Sequence, residues 1–397
     1  MDLKSRIMHV QVQNEPQTSE ESGRKSICGK FAIFSFFSGV GFLDHGFENA
    51  GYDIVFVNEI FEPFLDAYKF ARQELRLNGP LYGYHCDDIR SLLDSSEDGV
   101  LRRKIISAAE NYELIGFIGG PPCPDFSVGG KNRGQSGTNG TLSKSYVELI
   151  VQQHPDFFMF ENVKGLWRTK VHRAFYEELK KKLLAAGYAL TERLVNSMQF
   201  GVPQDRERII LVGFSKKKFG GSLPMDLESR FPWGEFSKYK TENLLSKVWP
   251  EATKFKENSE REKPSDIIEE ITVEYWFRKN RVEEHPNAPD FFKPRAGLPR
   301  FKSVDEGDDS RKSFKRLHRW RYSPTAAYGN NEVHLHPYKA RRITVAEAMA
   351  IQSMPREFVL PSNMSLSNKF KAVGNGVPYL LARSIAMSIK NFLQILQ

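Results

Sequence analysis

Residues 31–59 read FAIFSFFSGVGFLDHGFENAGYDIVFVNE, and this stretch decides the fold. Phe31 to Phe37 is a short apolar run of β-type residues, as a buried strand requires. It ends at Ser38-Gly39-Val40-Gly41. Phe42, Leu43, His45, Gly46, Phe47 and Ala50 then recur at roughly helical spacing until Gly51-Tyr52-Asp53 breaks the run. Ile54 to Val57 is a second buried-type strand, ending at Asn58-Glu59. Strand, glycine turn, helix and strand make a βαβ unit.

The alternation continues downstream. Residues 61–75 read as helix, and Leu114 to Ile118 as a strand ending in Gly119-Gly120. Ser143 to Gln153 reads as helix, Phe157 to Phe160 as a strand ending at Glu161-Asn162, His172 to Ala186 as helix, and Ile209 to Val212 as strand. Strands alternating with helices predict an α/β fold with a doubly wound, mostly parallel sheet spanning 31–215. Ligands of such sheets gather at the carboxyl ends of the strands, where the glycine and polar clusters fall. From 216 to 340 the periodicity is poor and Lys, Arg, Glu, Pro and aromatics dominate, which predicts a smaller, irregular domain. Helical spacing returns at Val345, Ala348, Met349 and Gln352 and again from Leu380 to Leu393, so 341–397 is expected to rejoin the first domain. Residues 1–30 are a polar extension without the apolar core of a secretory signal.

Composition narrows the function. The 397 residues suggest two or three domains, at roughly 100–200 residues each. No apolar run approaches the ~20 residues of a membrane helix, so no membrane role and a cytoplasmic location are expected. Cys28, Cys86 and Cys123 are too sparse for a disulfide framework and too far apart for a metal-ligand pair. The net charge of +8, from 57 basic and 49 acidic residues, is compatible with a polyanionic partner.

Two groups of residues carry chemistry. In the first, the turn Phe37-Ser38-Gly39-Val40-Gly41 lets a ligand approach the backbone, and Glu59 stands 20 residues after Gly39, suited to accept from ribose hydroxyls. Asp88-Ile89 follows a third strand tip, where a carboxylate can meet an adenine amino group. Position 44 is Asp rather than a third glycine, which disfavours a pyrophosphate-bearing nicotinamide cofactor. In the second, two glycines and three prolines surround Cys123 in Gly119-Gly120-Pro121-Pro122-Cys123-Pro124, a rigid setting that presents a thiol rather than packing it. Glu161-Asn162 at another strand tip suits acid–base work beside a nucleophile. Arg206 and Arg208 alternate along an extended segment and are expected to face one side. Lys131 and Arg133 lie in a glycine-rich loop with phosphate-seeking cations.

In this order, the motifs resemble the DNA (cytosine-5) methyltransferase family, bacterial restriction–modification type. The cofactor glycine motif matches Phe37-Ser38-Gly39-Val40-Gly41, its two acids match Glu59 and Asp88, and its Pro-Cys loop matches Pro121-Pro122-Cys123. Glu161-Asn162-Val163, the Gln204/Arg206/Arg208 pattern, Arg342-Ile343-Thr344-Val345-Ala346-Glu347 and Gly374-Asn375-Gly376-Val377-Pro378 follow. The departures are Phe42 where glycine is usual, Pro124 where glutamine is usual, and Ser353 where glycine is common.

The resemblance implies methyl transfer from S-adenosylmethionine to carbon 5 of a cytosine flipped from duplex DNA. Cys123 would be the nucleophile and Glu161 the acid at ring nitrogen 3. Arg208, with Arg206, would hold the base carbonyl, and Asn162 would orient the loop. Pro121, Asn375 and Val377 join the cofactor set; Ser127 and Gln204 join the DNA contacts. The irregular domain becomes a target-recognition domain, with Arg316, Arg319 and Arg321, interleaved with Phe314, Trp320 and Tyr322, as its DNA face. The role implied is protection of host DNA from a cognate restriction endonuclease, in a nucleoid-associated protein without a metal. An RNA methyltransferase of the same chemistry and a catalytically silent DNA-binding protein are the alternatives. A zinc deaminase is excluded because Phe126 stands where a second cysteine ligand is needed.

Overall fold

In the computed structural model, the apolar run Phe31–Phe36 is strand β1, buried at every position near the middle of a seven-stranded sheet. The structure describes residues 31–397 apart from 95, 97, 123–137, 295, 312, 326, 327 and 329–331. The further strands are β2 (Asp53–Asn58), β3 (Tyr84–His85), β4 (Leu114–Gly119), β5 (Phe157–Val163), β6 (Tyr188–Asn196), β7 (Gln204–Asp205), β8 (Glu207–Ser215) and β9 (Ser323–Pro324). The large sheet runs β3-β2-β1-β4-β5-β8-β6. Its first five strands are parallel, whereas β8 is antiparallel to both β5 and β6. The mostly parallel sheet expected from the alternation is present, with an antiparallel pair closing one edge. The edge strand β6 has no sequence counterpart among the expected elements. Its mixed burial and its Glu192 and Arg193 disguise it, as is usual for a strand at the edge of a sheet.

Period-two alternation assigns the two faces. Phe31, Ile33, Phe157, Met159, Ile210 and Val212 point to one layer, covered by helix α1 (Phe42–Glu48) and the terminal helix Tyr379–Leu396. Phe34, Phe36, Phe117, Phe158 and Phe160 point to the other. That face is covered by α3 (Val100–Ala109), α4 (Thr138–Gln153) and α6 (Lys170–Ala185). Between α1 and α3 lies α2 (Glu62–Glu74), and between α4 and α6 the short α5 (Lys164–Arg168). Two glycines make room for the sheet's phenylalanines. A Cβ on Gly116 would lie 2.2 Å from the Phe157 ring, and one on Gly213 2.1 Å from Phe158.

The change of texture at 216 is not where the packing changes. Phe219, Leu227, Phe231 and Trp233 belong to the same core layer as β8 and the terminal helix. A third core joins α2 to the helix Val273–Lys279, the helix Val345–Ile351 and the helix Leu366–Asn375. The irregular stretch is therefore fastened to the sheet domain through 341–375. A two-residue parallel ladder adds to this, pairing Gln204 with Ser323 and Asp205 with Pro324. Among the described residues, no helix is long and apolar enough to cross a membrane, and no group of His, Cys, Asp and Glu could hold a metal ion.

Candidate active site

The first half of the site lies at the carboxyl ends of β1 and β2. Phe37 leaves β1 with φ 54°, a left-handed conformation that costs a non-glycine residue free energy and marks a constrained corner. Gly39 and Gly41 follow with φ 57° and 93°. At Gly41 a Cβ would stand 2.7 Å from the Tyr68 ring, so glycine is required there twice over. The turn closes on Glu59, whose Oε2 accepts from the Gly39 N–H and whose Oε1 accepts from the Phe61 N–H, both at 2.9 Å. Glu59 is 8% exposed. Burial raises its pKa above the ordinary carboxylate range, while the backbone donors and the Lys371 ammonium pull it back.

The neighbouring turns complete this half. The Asn58 amide donates to the His85 and Asp87 carbonyls at 3.1 and 2.8 Å, tying the turn that carries Asp88 to the end of β2. The Asp88 carboxylate accepts from the Arg90 N–H and Nε, each at 2.9 Å, and Arg90 holds its pKa below the usual range. Ile89 is buried in the core beneath, Ser38 is buried, and its N–H donates to the Asn58 carbonyl. Asn375 is exposed at the end of the helix Leu366–Asn375, and Val377 is buried against the α1 layer. Phe42, the departure from the family's glycine motif, has a visible use. Its ring fills the space a Cβ on Gly376 would take, at 2.4 Å.

The second half lies at the ends of β4, β5 and β8. Glu161 is 8% exposed, and its Oε1 meets the Arg208 Nε at 2.8 Å. The antiparallel register places Arg208 opposite Val163, so the two side chains reach one another diagonally across the strands. Burial raises the Glu161 pKa, with Arg208 and Arg206 acting against it. A Cβ on Gly120 would lie 2.8 Å from the Glu161 Oε2, so the double glycine after β4 gives this carboxyl its room. Asn162 is buried; its amide donates to the carbonyl of the buried Pro121 at 3.4 Å, and its Oδ1 accepts from the Val163 N–H at 2.8 Å. It thereby links the glutamate's strand to the segment leading to Cys123. Cys123 itself, with Ser127, Lys131 and Arg133, lies outside the described residues.

Several expected residues are placed otherwise. Arg206 lies near enough to Glu161 and Arg208 to act on both electrostatically, yet its hydrogen bonds go to the backbone. It is 2% exposed, and its Nη2 donates to the Gly374 and Gly376 carbonyls at 3.0 and 3.1 Å, so it braces the turn around Asn375. Gln204 is fully buried in the ladder with Ser323. Arg316 and Arg319 are 1% and 4% exposed rather than on a DNA face. Arg316 donates to the carbonyls of Phe301, Val304, His336 and Lys339, and Arg319 clasps Glu306 at 2.8 and 3.0 Å. Trp320 is buried beside them, and Arg321 is half-buried near the Gly307 carbonyl. The reason is physical: an irregular chain leaves backbone carbonyls without ladder partners, and a guanidinium has enough donors to satisfy several at once.

Comparisons with known proteins agree with the family that the motifs resemble. A family model described as C-5 cytosine-specific DNA methylase matches residues 31–391. The Type II methyltransferase M.NmeDI of Neisseria meningitidis serogroup C is 53% identical over 365 residues, covering 92% of this chain and 84% of that protein. M.MthTI of Methanothermobacter thermautotrophicus is 27% identical over 377 residues, covering 91% and 98%. Among solved structures, the Dnmt2 methyltransferase of S. pombe has the same fold, with a TM-score of 0.57 at 15% identity, covering 91% of this chain and 98% of that one.

Proposed function

The chain belongs to the C-5 cytosine-specific DNA methylase family, and from that premise we propose that it forms a covalent bond between the Cys123 sulfur and carbon 6 of a cytosine turned out of duplex DNA. It is a DNA cytosine-5 methyltransferase of restriction–modification type. The reading is carried above all by the buried Glu161 carboxyl, paired with Arg208 at 2.8 Å and joined through Asn162 to the Pro121 carbonyl.

The first half of the site fits S-adenosylmethionine. Nothing lies within 4 Å of where a Cβ on Gly39 would be, so the backbone there can be approached closely. Glu59 would accept from the ribose hydroxyls, and Asp88 with Ile89 would meet the adenine. Phe37, Ser38, Gly41, Pro121, Asn375 and Val377 would complete the set. When bound, the cofactor supplies a methyl group activated by a sulfonium.

The chain's own residues prepare the acceptor. The Cys123 thiolate adds to carbon 6, and the displaced electron pair moves into the ring toward nitrogen 3 and the carbonyl at position 2. Glu161 gives its proton to nitrogen 3, a task suited to a carboxyl whose pKa is held above the ordinary range. Arg208 would steady the charge at the carbonyl oxygen. Carbon 5 is then an enamine carbon and can take the methyl. Loss of the carbon 5 hydrogen as a proton returns its electron pair to the ring, restores the 5,6 double bond and expels the Cys123 thiolate. Glu161 recovers its proton from nitrogen 3. Base flipping costs a few kcal/mol, to be recovered from phosphate and base contacts. The biological role we assign is protection of DNA from a cognate endonuclease.

The test is a covalent trap with duplex DNA carrying 5-fluorocytosine, because fluorine cannot leave as a proton and elimination stops. A denaturant-stable adduct is expected with the wild type and none with Cys123→Ser. An adduct that survives the substitution would overturn the nucleophile. An adduct with matched RNA but not with DNA would overturn the substrate.

A further inference from the structure

Two arginines stand two residues apart where β7 gives way to β8, and they take different partners. Arg208 meets the Glu161 carboxyl in the base half of the site. Arg206 sends its Nη2 to the Gly374 and Gly376 carbonyls at 3.0 and 3.1 Å. Among the described residues its side chain makes no other hydrogen bond, and its buried Nε has no partner. Burying a guanidinium with so few contacts is costly. What hydrogen bonding it does is concentrated on one turn.

That turn reaches the cofactor half. The two carbonyls flank Asn375, which is exposed, and Val377 is buried just beyond. A Cβ on Gly376 would lie 2.4 Å from the ring of Phe42, the residue after Gly41 of the glycine turn. Phe42 in turn meets Phe358 edge to face, with ring centres 5.1 Å apart. The Gln352 amide donates to the Val373 carbonyl at 2.9 Å and holds the chain entering the turn. On the other partner's side, the Ser197 N–H and Oγ donate to the Arg206 carbonyl at 2.9 and 3.0 Å. A well-anchored cation from the base half therefore fixes a turn that packs on the glycine turn of the cofactor half.

We propose that Arg206 is a positioning residue for the cofactor rather than a ligand of the base: it holds the Gly374–Val377 turn against Phe42, so that Asn375 and Val377 stand in place for S-adenosylmethionine. This rests on the assignment of that turn to the cofactor. The two arginines then divide the work. Arg206 governs cofactor affinity, and Arg208 governs rate. Arg206 also opposes the raised pKa of Glu161, so its loss leaves that carboxyl more readily protonated, which does not impede a proton donor.

The experiment titrates S-adenosylhomocysteine into the full chain, as wild type, Arg206→Met, Arg206→Lys and Arg208→Met. In parallel, methyl incorporation into mixed-sequence duplex DNA is followed against S-adenosylmethionine concentration. Arg206→Met should weaken S-adenosylhomocysteine and raise the cofactor KM by about 10- to 100-fold, with kcat falling less than about 3-fold. Arg208→Met should do the reverse. Arg206→Lys keeps the charge on a shorter stem and should weaken binding by about 3- to 10-fold; it carries the test if the Met variant does not fold. Partial unfolding would lower kcat through the active fraction, but would leave the affinity of the folded molecules unchanged. Affinity within 2-fold of the wild type in the folded Arg206 variants would overturn the inference. So would a loss of kcat as large as that of Arg208→Met, which would return Arg206 to the base. A folded wild type that binds no S-adenosylhomocysteine would overturn the cofactor assignment itself, a separate failure.

Discussion

Arg208 and Arg319 each hold a glutamate at 2.8 Å inside the protein, but the two pairs are finished to different degrees. In the irregular region, Arg319 donates from Nε and Nη2 to both oxygens of Glu306 and from Nη1 and Nη2 to Ser259. Glu306 accepts in addition from the Arg319 N–H at 3.1 Å and meets Arg261 at 3.2 Å. At the carboxyl end of β5, Glu161 takes Arg208 on one oxygen, and its other oxygen lies 2.8 Å from where a Cβ on Gly120 would be. A buried pair whose carboxylate has both oxygens engaged by arginines is architecture. A buried carboxyl that glycine gives its room, at a strand end beside the segment leading to Cys123, is the one we assign to the substrate.

The largest effect that could break this contrast is on turnover. Glu161→Gln keeps the shape and the contact with Arg208 but cannot deliver a proton, so methylation rate should fall by about 10²- to 10⁴-fold while the thermal melt changes little. Methyl incorporation within tenfold of the wild type would remove Glu161 from the reaction. The next effect is on stability and concerns the finished pair. Arg319→Met leaves Glu306 buried with much of its partnership gone, and should cost about 3–5 kcal/mol in denaturant unfolding. If the variant unfolds at the wild-type midpoint, the pair is not structural, and a role for Arg319 toward DNA returns. The smallest effect is the control: Lys238 and Glu270 meet at 3.7 Å with both side chains more than half exposed. Lys238→Ala should shift stability by less than about 1 kcal/mol. A larger loss would mean that exposure, on which the contrast depends, is a poor guide in this protein.

The same contrast explains what could be read from the chain alone. The βαβ unit at 31–59 was legible because fully buried strands are continuous apolar runs and glycine turns punctuate them. Glu59 and Gly39, or Glu161 and Arg208, could be placed at strand ends, and the structure brings each pair within hydrogen-bonding distance. The edge strand β6 was not legible, since half-covered strands mix charges with apolar residues. Nor could sequence separate an arginine that satisfies four carbonyls from one awaiting phosphate. Arg316, Arg319 and Trp320 make a basic, aromatic run in either case, and only burial distinguishes them.

The terminal helix has a consequence for how the protein is made. Tyr379–Leu396 packs so closely on α1 that a Cβ on Gly46 would meet the one on Ala382 at 2.5 Å, and Tyr52 donates to the Ala386 carbonyl 334 residues downstream. During synthesis β1 and α1 precede this helix by more than 300 residues, so that face of the sheet lacks part of its cover until then. Contacts of such range are slow to form and leave apolar surface open in the interval. A message cut short before this helix would yield the glycine turn, Glu59 and Glu161 together, and still lack the helix on which α1 is set.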